Sequence, residues 1–271
     1  MRFALRLIEY LGGSRELIRL ATLAEQAGFD SVWFPHDPFM RNTWVLTSGT
    51  AMATSRIEIG SVGTNPYTTG PSEIATYAAT LDELSGGRFI LGLGLHTDAM
   101  VRWTGWDADN YLQRTREATD IIRRLLRGEV VAYAGEEFHW NEQCYLRFEP
   151  LRDDLPIYIC AFGEDYLALS GEIGDGSLPM ITPPASAAYM VPAIRRGLAA
   201  NPHAEDFVIS GCAWLSLSAT RASATEVLRR MIAYFGPYLE DEALASIGLS
   251  QADFADIAAA MAAGRSEQAT A

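Results

Sequence analysis

The sequence predicts an α/β fold: a parallel barrel of strand–helix units, of the (β/α)8 kind, that stops short of its last unit. Three observations predict it. Short apolar runs of strand length alternate with helix-periodic segments through most of the chain. Glycine and proline punctuate the joins. The length, 271 residues, suits one α/β barrel, and the whole chain, 1–271, reads as one domain.

The elements follow in order. Residues 2–8 (RFALRLI) read as a strand. Over 15–28, Leu17, Leu20, Ala21, Ala24 and Ala27 recur at helical spacing, and Gly28 stands where a C-cap glycine belongs. Residues 30–35 (DSVWFP) form a buried strand, 43–54 a helix, and 56–62 (RIEIGSV) the third strand. Gly70-Pro71 opens the next helix, with proline at the first helical position, where its missing N–H costs nothing. Gly86-Gly87 ends that helix and releases the chain into RFILGLG (88–94), whose unbroken apolar run suits a strand covered on both faces. A helix over 110–127 follows. Residues 129–140 then alternate and turn at Ala134-Gly135, an expected hairpin insertion between this helix and strand five. Strand five is 156–161 with its helix at 164–173, strand six is 176–181 with its helix at 186–199, and strand seven is 206–218. Ser223 and Glu226 suggest a capping box for the next helix. That makes seven barrel strands where closure takes eight. Beyond Gly236 only polar and alanine-rich helical segments follow, so the last strand–helix unit is expected to be missing, as in a truncated C-terminal end.

Composition excludes several functions. The formal net charge of −13 opposes nucleic-acid binding, which needs clustered Lys and Arg, and leaves no basic patch for anionic lipid. No apolar run approaches the ~20 residues of a membrane helix. The N-terminus, MRFALRLIEYLGG, carries a glutamate within its apolar part and lacks a small-residue cleavage site, so it is not expected to be a signal peptide. Cys144, Cys160 and Cys212 are scattered and odd in number. They read as reduced thiols in a cytoplasmic protein, without metal-ligand spacing.

In parallel barrels the active face lies at the C-terminal ends of the strands. His36 and Asp37, after strand two, could transfer protons or hydrogen-bond a heterocycle, or Asp37 could cap a turn. Gly63, among hydroxyl and amide side chains in SVGTNPY, could admit a flat ligand to the backbone or make an ordinary turn. Gly92 and Gly94 could leave room for a ligand or ease packing, and His96 could be a ligand contact or structural. After strand five, Gly163 opens a helix whose N-terminus could bind phosphate, although Glu164 and Asp165 occupy its first turn and oppose an anion. Cys160 reads as core. The six tryptophans suffice to line a planar pocket, though core packing explains most of them.

Four segments together resemble a known family: LATLAEQAGFDSVWF (20–34), ATSRIEIGSVGTNPYTTGPSEIATYAATLDELSGGRFILGLG (53–94), RTREATDIIRRLLRGEVVAYAGEEF (114–138) and LPIYICAFGEDYLALSGEIGDG (155–176). They are similar to the bacterial luciferase-like flavin and deazaflavin oxidoreductases, in the branch of methylenetetrahydromethanopterin reductase. The resemblance covers about residues 1–235. It implies a TIM barrel, usually a homodimer, that holds coenzyme F-420 (a deazaflavin) or FMN at its mouth. It implies hydride transfer to a small organic substrate, or oxygen activation in a monooxygenase reaction. Carried over, it makes His36 and Asp37 catalytic, in the reverse of the family's usual Asp-His order. It assigns the coenzyme to Ser61, Val62, Gly63, Thr64, Gly94, Leu95 and His96, with a non-proline cis peptide at Val62-Gly63. It places the phosphate at Ala161, Phe162, Gly163 and Gly176. TNPYTTGP favours the deazaflavin, while the negative net charge favours a less anionic coenzyme. The alternative is a degenerate relative that binds coenzyme weakly or only forms dimers.

Overall fold

A computed structural model describes residues 1–8, 11–94 and 98–270. Strand–helix units run β1 (Ala4–Arg6), α1 (Ser14–Ala27), β2 (Ser31–Pro35), α2 (Thr43–Ala53), β3 (Glu58–Val62), α3 (Pro71–Ser85) and β4 (Phe89–Leu93). A short α4 (Asp98–Trp103) and a long α5 (Tyr111–Leu126) follow. The expected hairpin is β5 (Tyr133–Ala134) paired antiparallel with β6 (His139–Trp140). The barrel resumes with β7 (Ile157–Ile159), α6 (Gly163–Ile173), β8 (Gly176–Ser177), α7 (Ala187–Leu198) and β9 (Val208–Ile209). Helices α8 (Arg221–Phe235), α9 (Asp241–Ala245), α10 (Ala255–Ala262) and α11 (Ser266–Thr270) complete it.

Seven strands form one sheet in the order β1-β2-β3-β4-β7-β8-β9, and every neighbouring pair is parallel. Among the described residues β9 does not return to β1, so the barrel is open and one strand short of eight. The strand–helix barrel expected from the sequence is therefore present in this incomplete form.

Strand alternation sorts side chains into two layers. Val32, Phe34 and Ile59 face α1 and α2 with Leu17 and Ala21, while Leu91, Leu93, Ile157 and Ile159 face α3, α5 and α6. Each such buried side chain contributes about 1.5–3 kcal/mol. The lumen holds Trp33, Val62, Ile90, Tyr158 and Cys160, with Leu178 and Val208 against them. Trp33 and Tyr158 stack with centroids 5.7 Å apart. Glycines opposite make space for both rings: a Cβ at Gly60 would lie 2.1 Å from Trp33, and one at Gly176 would lie 2.9 Å from Tyr158.

Charge clamps fasten the N-terminal face. The turn after α3 is closed by Gly86 at φ 70° and Gly87 at φ 83°, with Gly87 N–H donating to Asp82 O at 2.9 Å. Asp82 is buried and accepts from Arg152 Nε and Nη2, both at 2.8 Å. Arg88 donates to Ala51 O, Thr54 O and Ile57 O, tying β4 to the end of α2. On α5, the Glu117 carboxylate accepts the N–H groups of Glu136, Glu137 and Phe138, which docks the hairpin.

Three expectations are adjusted. Strand six pairs only over 176–177 and strand seven only over 208–209; residues 210–217 have no partner strand among the described residues. The next helix starts at Arg221, because Thr220 supplies the N-cap, its hydroxyl accepting Ser223 N–H at 3.2 Å. Glu226 pairs with Arg230 instead of closing a capping box. No helix among the described residues is long and apolar enough to cross a membrane.

The segment after α8 folds back over the rim. Phe235, Leu239, Leu244 and Phe254 cluster with Met180, and Met40, Ile181 and Trp214 pack against them. These come from the loops after β2, β8 and β9. Tyr238 also meets Trp103, at the end of α4, edge-on at 6.3 Å.

Candidate functional site

The rim is built from strand ends held in register by backbone hydrogen bonds. His36 N–H donates to Val62 O at 2.8 Å, so the chain leaving β2 is stitched to the end of β3. The His36 ring stands edge-on to Trp44 at 5.7 Å, and its Nδ1 is buried without a hydrogen-bond partner. Burial holds this imidazole below its ordinary pKa, hence neutral. Burial acts oppositely on Asp37, raising its carboxyl above the usual carboxylate range, while the Arg6 charge works against the rise. Capping of α2 falls to Asn42, whose Oδ1 accepts Val45 N–H at 3.2 Å, and Thr43 Oγ1 donates to Pro35 O. Asp37 enters the turn through its backbone carbonyl, which accepts Met40 N–H at 3.3 Å, and not as the cap of α2.

At the end of β3 the Val62–Gly63 peptide is cis, at the position the resemblance assigns to it. Thr64 N–H donates to Gly92 O and Gly94 N–H to Thr64 O, both at 2.8 Å. Ser61 Oγ accepts Gly92 N–H at 3.2 Å and lies 3.1 Å from Thr64 Oγ1. Both hydroxyl side chains are fully buried, so they brace the rim from behind. The glycines serve close packing. A Cβ at Gly92 would lie 2.0 Å from Ser61 O, and one at Gly94 would lie 2.6 Å from Tyr166 Oη. At Gly63 it would lie 2.9 Å from Cys160 Sγ. The close packing that is one of the two readings of Gly92 and Gly94 is present at both positions.

At the end of β7, Ala161 is buried and Phe162 packs against Tyr111 and Tyr166. Helix α6 begins at Gly163, at φ 66°, with no side chain capping its first N–H groups. Glu164 and Asp165 do occupy the first turn, but their side chains are 55% and 85% exposed, with Arg196 3.8 and 3.9 Å from them. Turned to solvent, they oppose an anion at the helix start only through a screened field.

His36, Asp37, Ser61, Val62, Gly63, Thr64 and Gly94 thus come together along adjoining strand ends, with Ala161, Phe162 and Gly163 on the next strand. Gly176 does not join them: it pairs with Tyr158 at mid-height in the lumen. Leu95 and His96 lie outside the described residues. Trp33 and Trp44 are core, as expected of most of the tryptophans.

Two features escaped sequence reasoning. One is Arg6, which shares the lumen face of β1 with Ala4, opposite Trp33; its Nε is buried and unpartnered. The signal was a charge alternating with Leu5 and Leu7 in an otherwise apolar strand. The other is the C-terminal segment over the rim, which no local pattern announces.

A parallel barrel with a buried, unpartnered imidazole nitrogen at its rim and an uncapped helix start after another of its strands has groups that suit a flat heterocycle carrying a phosphate. The family model described as luciferase-like monooxygenase matches residues 7–270. The 5,10-methylenetetrahydromethanopterin reductase of Archaeoglobus fulgidus is 34% identical over 237 residues, covering 87% of this chain and 70% of that protein. The enzyme of the same description from Methanolobus tindarius is 32% identical over 250 residues, 92% and 76% of the two chains. The solved structure of the coenzyme F-420-dependent tetrahydromethanopterin reductase from Methanopyrus kandleri superposes with a TM-score of 0.88 at 25% identity, covering 99% of this chain and 82% of that one. The chain belongs to the luciferase-like monooxygenase family. It is a flavin- or deazaflavin-dependent oxidoreductase acting on a small organic substrate.

Proposed function

We propose that this chain uses coenzyme F-420 in hydride transfer to a small unsaturated or carbonyl-type substrate. The observation that carries this reading is the superposition on the F-420-dependent reductase over nearly the whole chain. The ring would lie against Val62 and Gly63, with Thr64 and Gly94 beside them. The phosphate would take the free N–H groups after Ala161 and Phe162, at Gly163. When bound, the reduced coenzyme supplies the hydride. The chain's own part is to orient the ring, exclude water and manage a proton. Neutral His36 offers a hydrogen-bonding nitrogen at the rim. Asp37, held toward its protonated form, is the group with a proton to give.

FMN with a monooxygenase reaction is the second reading, favoured by the acidic first turn of α6, which suits a coenzyme with fewer negative charges. The degenerate reading draws on the same turn and on the open sheet. Absorbance titration of the purified protein with each coenzyme decides among the three. Saturation near 1:1 by coenzyme F-420, with weaker FMN binding, is expected; failure of both to bind would sink the enzyme reading. We further propose a cytoplasmic homodimer without nucleic-acid or membrane partners. The net charge of −13 supports the exclusions. Val45 and Met52, seven residues apart on α2 and 64% and 74% exposed, support a second copy. A single-chain mass by light scattering of the same preparation would refute the dimer.

A further inference from the structure

We propose that Arg6 is an anion-binding residue of this site, its guanidinium receiving a delocalised negative charge presented from the rim into the lumen. The inference rests on the coenzyme reading above and extends it to a residue outside that assignment. Arg6 projects into the lumen from β1, in register with Trp33. It is half-buried, and its Nε is enclosed without an acceptor. A guanidinium carries five N–H donors in a planar fork and stays charged. Leaving a buried donor of a charged group unmade costs more than the bond itself would return.

Its position follows from the register: Arg6 pairs with Trp33 on the lumen face, two residues short of Pro35 at the end of β2. Arg6 acts on the Asp37 carboxyl at the end of β2 and on the Cys160 thiol at the end of β7. Cys160 in turn packs against Gly63. Arg6 therefore stands below the rim segment where the ring is placed. Asp37 makes a poor permanent partner, since burial favours its neutral form. A planar fork of donors suits an anion spread over two or three atoms. Two sources meet that description: the N1–C2–O2 edge of a reduced flavin or deazaflavin, which carries its negative charge, and a substrate carboxylate. A cation near that edge stabilises the reduced form over the oxidised one and raises the potential of the bound couple.

The test compares wild type, R6K and R6Q. The coenzyme of the two that binds wild type more tightly is titrated in both redox states, and its bound potential is measured spectroscopically. Sodium acetate and sodium succinate are added separately, with protein melting temperature as the readout. If the ring is the source, R6Q loses about tenfold of its preference for the reduced form. That corresponds to a potential about 30 mV more negative for a two-electron couple, with R6K in between. If a substrate carboxylate is the source, the potential stays put, and acetate or succinate raises the melting temperature of wild type but not of R6Q. The proposal is overturned if R6Q matches wild type in both readouts. Should wild type bind neither coenzyme, the coenzyme reading fails, and the carboxylate arm alone decides on Arg6. If R6Q does not fold, R6M, which keeps an unbranched apolar stem in the lumen, replaces it.

Discussion

His36 and Asp37 are neighbours in sequence, and the same burial displaces them in opposite directions. Desolvation penalises the charged form of each, so the imidazole loses its proton more readily and the carboxyl keeps it longer. For Asp37 the folded-state pKa lies above that of the unfolded chain. Its contribution to stability is therefore present below the ordinary carboxylate range and is lost as pH rises through the raised value. Asp37→Asn removes that loss. The variant should melt above wild type at pH 8 and level with it near pH 3.5; a melting difference independent of pH would show that Asp37 ionises without penalty. At this scale the sequence was informative where chemistry and position coincide. A histidine and an aspartate just past a strand end could be singled out because strand ends at one face form the mouth. Arg6 was passed over, because a lone charge in a short first strand does not tell lumen from outer face, and only the register with Trp33 shows which way its side chain points.

Among elements, the junction of β3 and β4 is the tightest. Ser61, Gly92 and Thr64 share one network of backbone and hydroxyl bonds, and the missing side chain at Gly92 lets the two strands approach. Gly92→Ala should cost about 3 kcal/mol through overpacking against Ser61 O. Gly211→Ala, where an added Cβ meets nothing within 4 Å, should stay within about 0.5 kcal/mol. Urea unfolding of the two variants checks the contrast, and equal midpoints would contradict the packing assigned to Gly92. Gly86-Gly87 was legible because consecutive glycines after a periodic apolar stripe have few uses besides ending a helix, and both adopt positive φ. Strands six and seven were read too long because their apolar runs continue past the last ladder pair. An extended run becomes a strand only where a neighbour accepts its hydrogen bonds.

At the scale of the whole molecule, the seven-strand count followed from the rhythm of the chain, and the open sheet agrees with it. The folding of the C-terminal helices over the rim did not follow, since tertiary docking of an alanine-rich segment leaves no period to read. Phe254 is the pin: it is buried against Met180 and its neighbours, and it lies over Gly236, where a Cβ would be 2.3 Å from its ring. Phe254→Ala should cost about 3 kcal/mol or more, felt first in the covering segment. Limited proteolysis should then cut within 236–250 before the barrel strands. Cleavage that starts in the barrel instead would mean that the segment is not a separable cover.

The stacked pair of Trp33 and Tyr158 fills lumen width that Gly60 and Gly176 leave free. Enlarging either glycine would push a ring from its seat, so these two small residues set how much aromatic bulk the interior can carry. Bulk on one strand is thereby matched by its lack on the next.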